Sequence, residues 1–306
     1  MALVECIPNF SEGQRLEVVA EIRQAIESVP GVLLLDVTSD ADHNRSVITF
    51  AAPPEAIGEA AFRGIARAAV LIDLDAHTGV HPRIGAADVV PFVPLRDISM
   101  AACVQIAHEV GQRVAAELGL PVYFYEAAAL HPERRNLAYV RRDAYEVLKT
   151  TIETLPDRLP DAGRPFLGKA GAVAVGAREP LIAFNAFLDT ADVRVAKAVA
   201  RAVRERDGGL PYVKALGLLV NGQAQVSINV IDFRKMSLFT ILERVRAVAA
   251  AYGAAITHTE LIGLIPQAAL LESALSYLQL PPETLNRILE RKLGQFTHDY
   301  RDIPFE

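Results

Sequence analysis

The sequence predicts an α+β protein built from two halves that share one order of elements, β-α-β-β-α-β. Three observations support this prediction. Apolar runs of strand length alternate with apolar stripes of helical period, a polar and proline-rich stretch separates the two halves, and Asn221-Gly222 marks a tight hairpin. This order is that of the split βαβ, or ferredoxin-like, fold, in which helices cover one face of a mixed or antiparallel sheet.

The first half opens with a short apolar strand at residues 2–9, followed by an amphipathic helix. We expect Ser11 to cap that helix, with Gln14 three residues later as its capping-box partner. Residues 32–37 are predicted to form a buried strand. Turn residues separate them from a second strand at residues 45–51, so the two strands are expected to pair as a hairpin.

The first half continues with a helix that Pro53-Pro54 opens. The strand predicted at residues 89–95 contains two prolines, which cannot donate to a β-ladder, so we expect an edge or irregular strand. A helix from about Ser99 to Leu118 and a strand at residues 121–125 follow.

Residues 126–170 differ from the chain on either side. They contain an arginine-rich helical region and then a loop rich in proline and glycine. Because such a change in composition is typical of a domain boundary, we place the seam between the halves here. The predicted subdomains are residues 1–170 and residues 171–306.

The second half repeats the order of elements without repeating the residues. The predicted elements are one or two strands within residues 172–188, a helix from about Asp192 to Glu205, a hairpin across Asn221-Gly222, a helix from about Ser237 to Ala251, a strand at residues 255–263 and two closing helical segments at about 266–279 and 282–293.

One strand of the second half alternates strictly between apolar and polar residues. The apolar set is Val226, Ile228 and Val230, and the polar set is Gln225, Ser227 and Asn229. If helices cover the apolar face, the polar face is left either to line a groove between the halves or to face solvent. The pattern alone favours neither reading.

Composition and charge narrow the classes of function. The chain has 306 residues, 51% hydrophobic and 22% charged, with a net charge of −6. No basic run suggests nucleic acid as a partner, and no apolar run approaches the ~18 residues of a membrane span. The two cysteines stand far apart, which is typical of reduced thiols in a cytoplasmic protein, and no secretory leader is evident.

Two histidines four residues apart, His77 and His81, are the first candidates for chemistry. A zinc pair at this spacing normally shares one face of a helix, but Gly79 and Pro82 disfavour a helix here, so we expect no metal. A loop of this kind can instead aim one imidazole into a cleft, and imidazole suits proton transfer at neutral pH. A purely structural loop histidine is the alternative.

Two further segments carry polar residues where elements begin or end. Asn9 and Ser11 lie at a junction of strand and helix, where backbone N–H groups can face an anion. Asn44 and Arg45 follow a turn, and Arg45 can bind a carboxylate through two hydrogen bonds. Helix capping and a plain hairpin end are the competing interpretations.

Three common catalytic classes lack their sequence signatures. The chain contains no G-x-S-x-G elbow, no G-x-x-x-x-G-K-[ST] loop and no G-x-G-x-x-G after a strand. An α/β-hydrolase, a P-loop nucleotidase and a Rossmann dehydrogenase are therefore not supported.

Several segments, in order along the chain, together resemble the glutamate formimidoyltransferase family, the transferase part of formiminotransferase-cyclodeaminases. They are "LVECIPNFSEG", "NRSVITF", "HPRIGAADVVPFVPL", "PVYFYEAA", "VGAREPLIAFN", "QVSINVIDF" and "LIGLIPQAALLESA". The resemblance extends from about residue 3 to residue 280. We expect the transferase part alone, with a separate cyclodeaminase left open as a partner.

The resemblance implies an activity and a set of substrates. The family moves a formimino group between N-formimino-L-glutamate and tetrahydrofolate, which joins histidine breakdown to one-carbon metabolism. Tetrahydrofolate is then a co-substrate, and no metal is needed. The family's two subdomains bind folate in a groove between them, and its members form homodimers. Small-molecule substrates and a homodimer are therefore expected in this chain too.

The resemblance also assigns residues. The family's catalytic histidine matches His81, which is expected to shuttle a proton between the two amines. Asn9, Asn44, Arg45, Gln225, Ser227 and Asn229 are candidate substrate contacts. The family's folate-binding loop matches Gly163, Arg164, Pro165, Phe166, Leu167, Gly168, Lys169, Ala170 and Gly171. Ala170 and Val80 differ from the aromatic and acidic residues found in some relatives.

Two competing functions stay open at this point. The first is the same scaffold with a formyl donor, either N-formylglutamate or 5-formyltetrahydrofolate, because the residues do not distinguish NH from O on one carbon. The second is a folate-binding protein without activity. The "HPRIG" segment favours an enzyme, since a pure binder needs no proton shuttle.

Overall fold

The computed structural model of the chain describes residues 2–79 and 82–294. The chain divides into two compact units, Met1–Pro180 and Leu181–Glu306. Both units are mixed α/β, each with its own sheet and its own apolar core. No helix in the described part of the chain is long and apolar enough to cross a membrane.

The first unit holds seven strands and five α-helices within the described residues. The strands are β1 (Leu3–Cys6), β2 (Asn9–Phe10), β3 (Leu33–Asp40), β4 (Arg45–Ala52), β5 (Ala87–Arg96), β6 (Val122–Glu126) and β7 (Val173–Ala177). The helices are α1 (Leu16–Glu27), α2 (Pro54–Leu71), α3 (Met100–Arg113), α4 (Leu137–Val140) and α5 (Ala144–Thr151).

One sheet of seven strands organises this unit. β4 pairs antiparallel with β3 on one side and with β1 and β2 on the other, and β5 pairs antiparallel with β1 and β2. β7 then runs parallel to β5, and β6 runs parallel to β7. The predicted β-α-β-β-α-β order is therefore present, and β7 and β6 extend its sheet beyond β5.

The division between the units falls after Pro180, ten residues beyond the predicted boundary at residue 170. The reason is the pairing of β7, which lies after residue 170 but completes the first sheet between β5 and β6. The arginine-rich stretch before it also belongs to the first unit. There Arg134 and Asp161 form a buried ion pair at 2.6 Å.

One prediction about an individual strand is wrong, and another holds in part. β3 is an edge strand, and the side chains of Leu33, Leu35 and Val37 are exposed rather than buried. β5, predicted as an edge or irregular strand, is an inner strand, but its pairings with β1 and β2 are irregular and contain register shifts. Its prolines lack only the donor: the carbonyl of Pro91 accepts a hydrogen bond from Ile7 N at 3.3 Å, which keeps the strand paired.

The predicted cap of the first helix is also wrong. α1 begins at Leu16, and the Ser11 hydroxyl donates instead to the Gly85 carbonyl at 2.7 Å. The buried carboxylate of Glu12 accepts hydrogen bonds from Gln14 N at 3.0 Å and Arg15 N at 2.8 Å. A carboxylate next to the positive end of the helix dipole satisfies these amides better than a hydroxyl.

The second unit contains four strands and four α-helices within the described residues. They are β8 (Ile182–Leu188), α6 (Val193–Val203), β9 (Val213–Val220), β10 (Gln223–Val230), α7 (Leu238–Ala251), β11 (Ile256–Ile262), α8 (Gln267–Leu278) and α9 (Leu289–Gly294). The strands pair antiparallel in the order β11-β8-β10-β9. The predicted order of elements in this half agrees with the structure. Two details differ: β7, predicted in this half, belongs to the first sheet, and a 3₁₀ helix at Pro282–Arg287 precedes the short α9.

Local signals account well for this second unit. Asn221 and Gly222 both have positive φ, 49° and 77°, as a two-residue hairpin loop requires. Asp192 and Ser237 accept hydrogen bonds from the first turns of α6 and α7 and so cap both helices. The apolar residues of β10 are buried in the core, as the alternation predicts.

A close backbone contact joins the start of β5 to the segment before β7. Gly85 and Gly171 form an isolated bridge, and Ala172 N donates to the Ile84 carbonyl at 2.8 Å. A Cβ atom on Gly85 would lie 1.7 Å from the Ala172 carbonyl oxygen. Only glycine fits here, because the obstacle is backbone and cannot swing away.

We therefore expect Gly85→Ala to lower the free energy of unfolding by at least about 3 kcal/mol, since the two segments must move apart. Gly168→Ala is the matched control in the same region: no atom lies within 4 Å of its added Cβ, and its φ is not positive. Urea denaturation of both variants measures the difference. Equal stability of the two would show that the contact is not tight.

Candidate functional site

A small cavity in the first unit gathers most of the polar residues that the sequence singled out. It opens among the end of β2, the start of β4 and the segments on either side of residues 80–81. Its lining consists of Asn9, Phe10, Ser11, His43, Asn44, Arg45, His77, Arg83 and Asp88. His81, Val80 and His298 lie outside the described residues.

Arg45 lines this cavity with a positively charged guanidinium group. Its guanidinium Nη2 donates to the side-chain oxygen of Asn9, whose amide nitrogen donates to the Ile7 carbonyl at 2.9 Å. Burial, followed by the nearby charge of Arg141, lowers the pKa of Arg45 to about 10. The group therefore keeps its positive charge at neutral pH, and Asn9 fixes its direction.

Asn44 connects two loops at the edge of the cavity. Its side-chain oxygen accepts from Gly13 N at 3.0 Å, and its amide donates to the Thr78 carbonyl at 2.9 Å. The residue is buried and has a φ of 46°, a conformation that asparagine tolerates better than most residues. Asn44 thus ties the segment of His77 to the turn before α1.

His77 has both ring nitrogens occupied. Its Nδ1 lies 3.0 Å from Arg83 Nε, which can only donate, and its Nε2 lies 3.0 Å from the Asn44 carbonyl oxygen, which can only accept. These two partners define the neutral tautomer with its proton on Nε2. His77 is consequently held in a structural role, and its ring is not available for a metal or for a proton transfer.

Electrostatics agree with a neutral His77. Burial, and after it the positive charge of Arg83, lower the pKa of His77, against the raising effect of the hydrogen bond to the Asn44 carbonyl. Protonation would place a proton on Nδ1, facing the N–H of Arg83. Across residues 2–79 and 82–294, no group of three or more histidine, cysteine or acidic side chains is arranged to hold a metal ion.

The lowered pKa of His77 gives a signed prediction for stability. The unfolded chain takes up the proton first as the pH falls below about 6.5, so the contribution of neutral His77 is present above that pH and is lost below it. We expect His77→Ala to be less stable than the parent by about 1–3 kcal/mol near pH 7.5, from two lost hydrogen bonds.

That difference should narrow as the pH falls toward about 5. Urea denaturation of the parent and His77→Ala at several pH values measures it. A gap that is constant across this range would contradict the assignment of a neutral histidine with a lowered pKa.

Arg83 also lines the cavity and contacts both His77 and helix α5. Its Nη2 donates to the His77 carbonyl at 3.1 Å, and its two terminal nitrogens reach the carboxylate of Glu146 on α5 at 2.7 and 3.1 Å. The Arg83 side chain is buried while that of Glu146 is 60% exposed. The guanidinium therefore joins the residues before and after positions 80–81 to one helix.

Asp88 supplies the negative charge of the cavity. Its carboxylate accepts a hydrogen bond from Ile84 N at 2.8 Å and pairs with Arg141 at 3.0 Å. The described contacts of Arg83 and Asp88 connect them to His77, Glu146 and Arg141.

The loop matched to the folate-binding loop packs against the same region. Backbone hydrogen bonds of 2.8 Å run from Leu74 N to the Lys169 carbonyl and from Ala86 N to the Ala170 carbonyl. Leu167 and Ala170 are buried, whereas Phe166 is 63% exposed. Position 170 is therefore part of the core, and Phe166 is the aromatic side chain that this loop presents to its surroundings.

The second polar set belongs to the second unit. Gln225, Ser227 and Asn229 lie on the face of β10 opposite its buried apolar residues, with Ser227 directly across from Asn185 on β8. Asn185 in turn donates to Glu260 on β11 at 3.1 Å. The same face carries a stacked pair, Phe187 and His258, with ring centroids 4.4 Å apart.

Sequence reasoning missed the charged residues that complete the cavity. Arg141 and Glu146 come from segments far from the histidine motif, and they pair with the lining residues Asp88 and Arg83. The arginine-rich composition of residues 134–142 was the available signal. It did not reveal which of these arginines turns toward Asp88.

Fold and cavity together define a class: a mixed α/β protein of two units, with a small cavity in the first unit where two guanidinium groups and one carboxylate meet. Two family models match the chain in agreement with this division. "Formiminotransferase domain, N-terminal subdomain" matches residues 3–178, and "Formiminotransferase domain" matches residues 183–292. The chain belongs to the formiminotransferase family.

Curated relatives with high identity point the same way. The chain is 47% identical over 297 residues to the glutamate formimidoyltransferase of Thermoplasma acidophilum, covering 96% of this chain and 98% of that protein. It is 44% identical to the glutamate formimidoyltransferase of Streptococcus pyogenes, covering 91% and 94%. It is 42% identical to the formimidoyltransferase-cyclodeaminase of Gallus gallus, covering 90% of this chain and 52% of that longer protein.

Proposed function

We propose that this protein transfers a formimino group between N-formimino-L-glutamate and tetrahydrofolate, giving 5-formiminotetrahydrofolate and L-glutamate. The observation that carries the proposal is the cavity, which unites Asn9, Asn44 and Arg45 with the two flanks of residues 80–81 in a member of the formiminotransferase family. The proposed reaction belongs to histidine breakdown and supplies one-carbon units to folate metabolism.

The charge of the cavity suits an acidic donor. Arg45 and Arg83 line it, and Asn9 fixes the direction of the Arg45 guanidinium, so Arg45 is proposed to bind a substrate carboxylate. Asn9 holds that guanidinium from one side, which reduces the entropy lost on binding. Asn44 contributes mainly by fixing the loop that ends at Gly79.

The chemistry requires one group that both accepts and donates a proton. N5 of tetrahydrofolate attacks the formimino carbon, a tetrahedral intermediate forms, and the bond from that carbon to the glutamate nitrogen breaks. N5 loses a proton and the departing amine gains one. We assign this shuttle to His81, which matches the family's catalytic histidine, whereas both ring nitrogens of His77 are engaged in hydrogen bonds.

Folate is proposed to bind against the loop at residues 163–171. The exposed ring of Phe166 offers an apolar face for a flat heterocycle, and backbone hydrogen bonds hold the loop beside the segments flanking residues 80–81. The polar set Gln225, Ser227 and Asn229 is proposed to contact substrate from the second unit. The ferredoxin-like description of both units, the folate groove, the homodimer and the cytoplasmic location stay predictions.

Two donors offered in parallel test the proposal. The purified protein is incubated with tetrahydrofolate and either N-formimino-L-glutamate or N-formyl-L-glutamate, and the folate product is followed by its absorbance. Product from the formimino donor alone is the expected result. Product from the formyl donor alone would replace the proposed donor, and tight folate binding without turnover on either would identify a binding protein.

A further inference from the structure

We propose that Tyr145 is a positioning residue that ties the loop at residues 163–171 to the segment at residues 73–79. The role of that loop in binding folate rests on the proposed function; the tie itself rests on the contacts below. Neither composition nor spacing drew attention to Tyr145, which lies in the first turn of α5.

The hydroxyl of Tyr145 lies between the two segments. Its oxygen is 2.8 Å from Asp75 Oδ1 and 3.2 Å from the Gly168 carbonyl oxygen, so its one proton has an acceptor on either side. The ring is buried, which fixes the position of the hydroxyl. Lys149, one turn further along α5, pairs with the same carboxylate oxygen and holds Asp75 in place.

The same turn of α5 also holds the other flank of residues 80–81. The backbone N–H of Tyr145 donates to the Arg83 carbonyl at 2.8 Å, and Glu146 binds the Arg83 guanidinium. Arg83 then reaches back to His77. One helical turn therefore contacts the chain before and after residues 80–81 and also the loop at residues 163–171.

Of the side-chain interactions that hold this loop, the hydrogen bond of Tyr145 is expected to be stronger than the ion pair of Lys169. Lys169 pairs with Asp73 at 2.8 Å, but the lysine side chain is 74% exposed, and exposed ion pairs contribute little. The hydrogen bond from the buried Tyr145 hydroxyl to the charged Asp75 carboxylate is stronger, because the hydroxyl is shielded from water although the Asp75 side chain is 44% exposed. Loss of the Tyr145 hydroxyl should release Gly168 more than loss of the Lys169 charge.

The test compares Tyr145→Phe with Tyr139→Phe, which removes a hydroxyl from a partly buried tyrosine on the neighbouring helix α4. We expect Tyr145→Phe to raise KM for tetrahydrofolate by about tenfold, with KM for the formimino donor and kcat changed far less. Tyr139→Phe should match the parent. A purely structural defect would instead lower the active fraction and so kcat, with both KM values intact.

Hydrogen–deuterium exchange supplies a readout that needs no turnover. Backbone amides of residues 163–171 and of residues 73–79 should exchange faster in Tyr145→Phe, while the strands of the first sheet keep the exchange of the parent. If the parent lacks transferase activity but the exchange result holds, the proposed function fails and the tie stands. Unchanged exchange in both segments would overturn the tie.

Variants of Asp75, the hydrogen-bond partner of Tyr145, test the same contact independently of Tyr145→Phe. Asp75→Asn keeps a side-chain oxygen as acceptor and should leave KM for tetrahydrofolate within about threefold of the parent. Asp75→Ala removes one acceptor but leaves the hydroxyl its bond to the Gly168 carbonyl, so it should raise that KM less than Tyr145→Phe does. The double variant Tyr145→Phe/Asp75→Ala should be no worse than Tyr145→Phe, because the hydroxyl that binds Asp75 is already absent. Fully additive effects in the double variant would contradict the proposal.

Discussion

Replacing His81 by alanine is expected to lower kcat by roughly 10²–10⁴-fold, the usual contribution of a positioned general acid–base group. Binding of tetrahydrofolate should be unchanged, because the proposed folate contacts lie in the loop at residues 163–171. His77 should not replace His81 in this variant, because both of its ring nitrogens are engaged in hydrogen bonds.

Three measurements check this expectation. Steady-state kinetics with the formimino donor gives kcat, fluorescence titration gives the dissociation constant for folate, and added imidazole tests for chemical rescue. His131→Ala is a suitable control, since that histidine is exposed at the start of a short 3₁₀ helix outside the cavity. Parent-level turnover in His81→Ala would remove His81 from the mechanism.

Replacing Arg45 by alanine is expected to raise KM for N-formimino-L-glutamate by about 10–100-fold, the range of one or two charge-assisted hydrogen bonds. The effect on kcat should be smaller, because the guanidinium binds the carboxylate equally in the ground state and in the transition state. Burial lowers the pKa of Arg45 only to about 10, so this binding should not vary between about pH 6 and pH 8.

Two companion variants make the Arg45 result specific. Arg45→Lys keeps the charge but loses the planar pair of donors, so its KM should fall between those of the parent and the alanine variant. Arg63→Ala removes an exposed guanidinium that pairs with Glu59 on α2, outside the cavity, and should leave KM unchanged. An unaltered KM in Arg45→Ala would exclude that residue from the substrate site.

Much of the fold follows from local pattern. The apolar alternation in β10, the Asn221-Gly222 turn, and the caps of α6 and α7 agree with their sequence signals, because each depends on neighbours a few residues away. The prediction of a buried β3 and the prediction of an edge position for β5 fail for the opposite reason. Whether a strand lies at an edge depends on which partners it finds, and a proline excludes only a donor.

The candidate site divides in a similar way. Asn9, Asn44 and Arg45 were predicted, and the structure brings them to one cavity together with His77, Arg83 and Asp88. Arg141, Tyr145 and Glu146 were not, since their roles come from contacts across the chain. Arg83 and Glu146, for example, are 63 residues apart in sequence.

The sequence alone predicts the order of strands and helices and several residues that line the cavity of the first unit. By resemblance it also predicts the family. Only the tertiary structure shows that β7 completes the first sheet, that the Ser11 hydroxyl donates to the Gly85 carbonyl instead of capping α1, and that His77 is neutral. The physical reason is that turns, caps and periodicity are encoded over a few residues. Pairing partners, burial and the tautomer of a histidine depend instead on atoms contributed by distant segments.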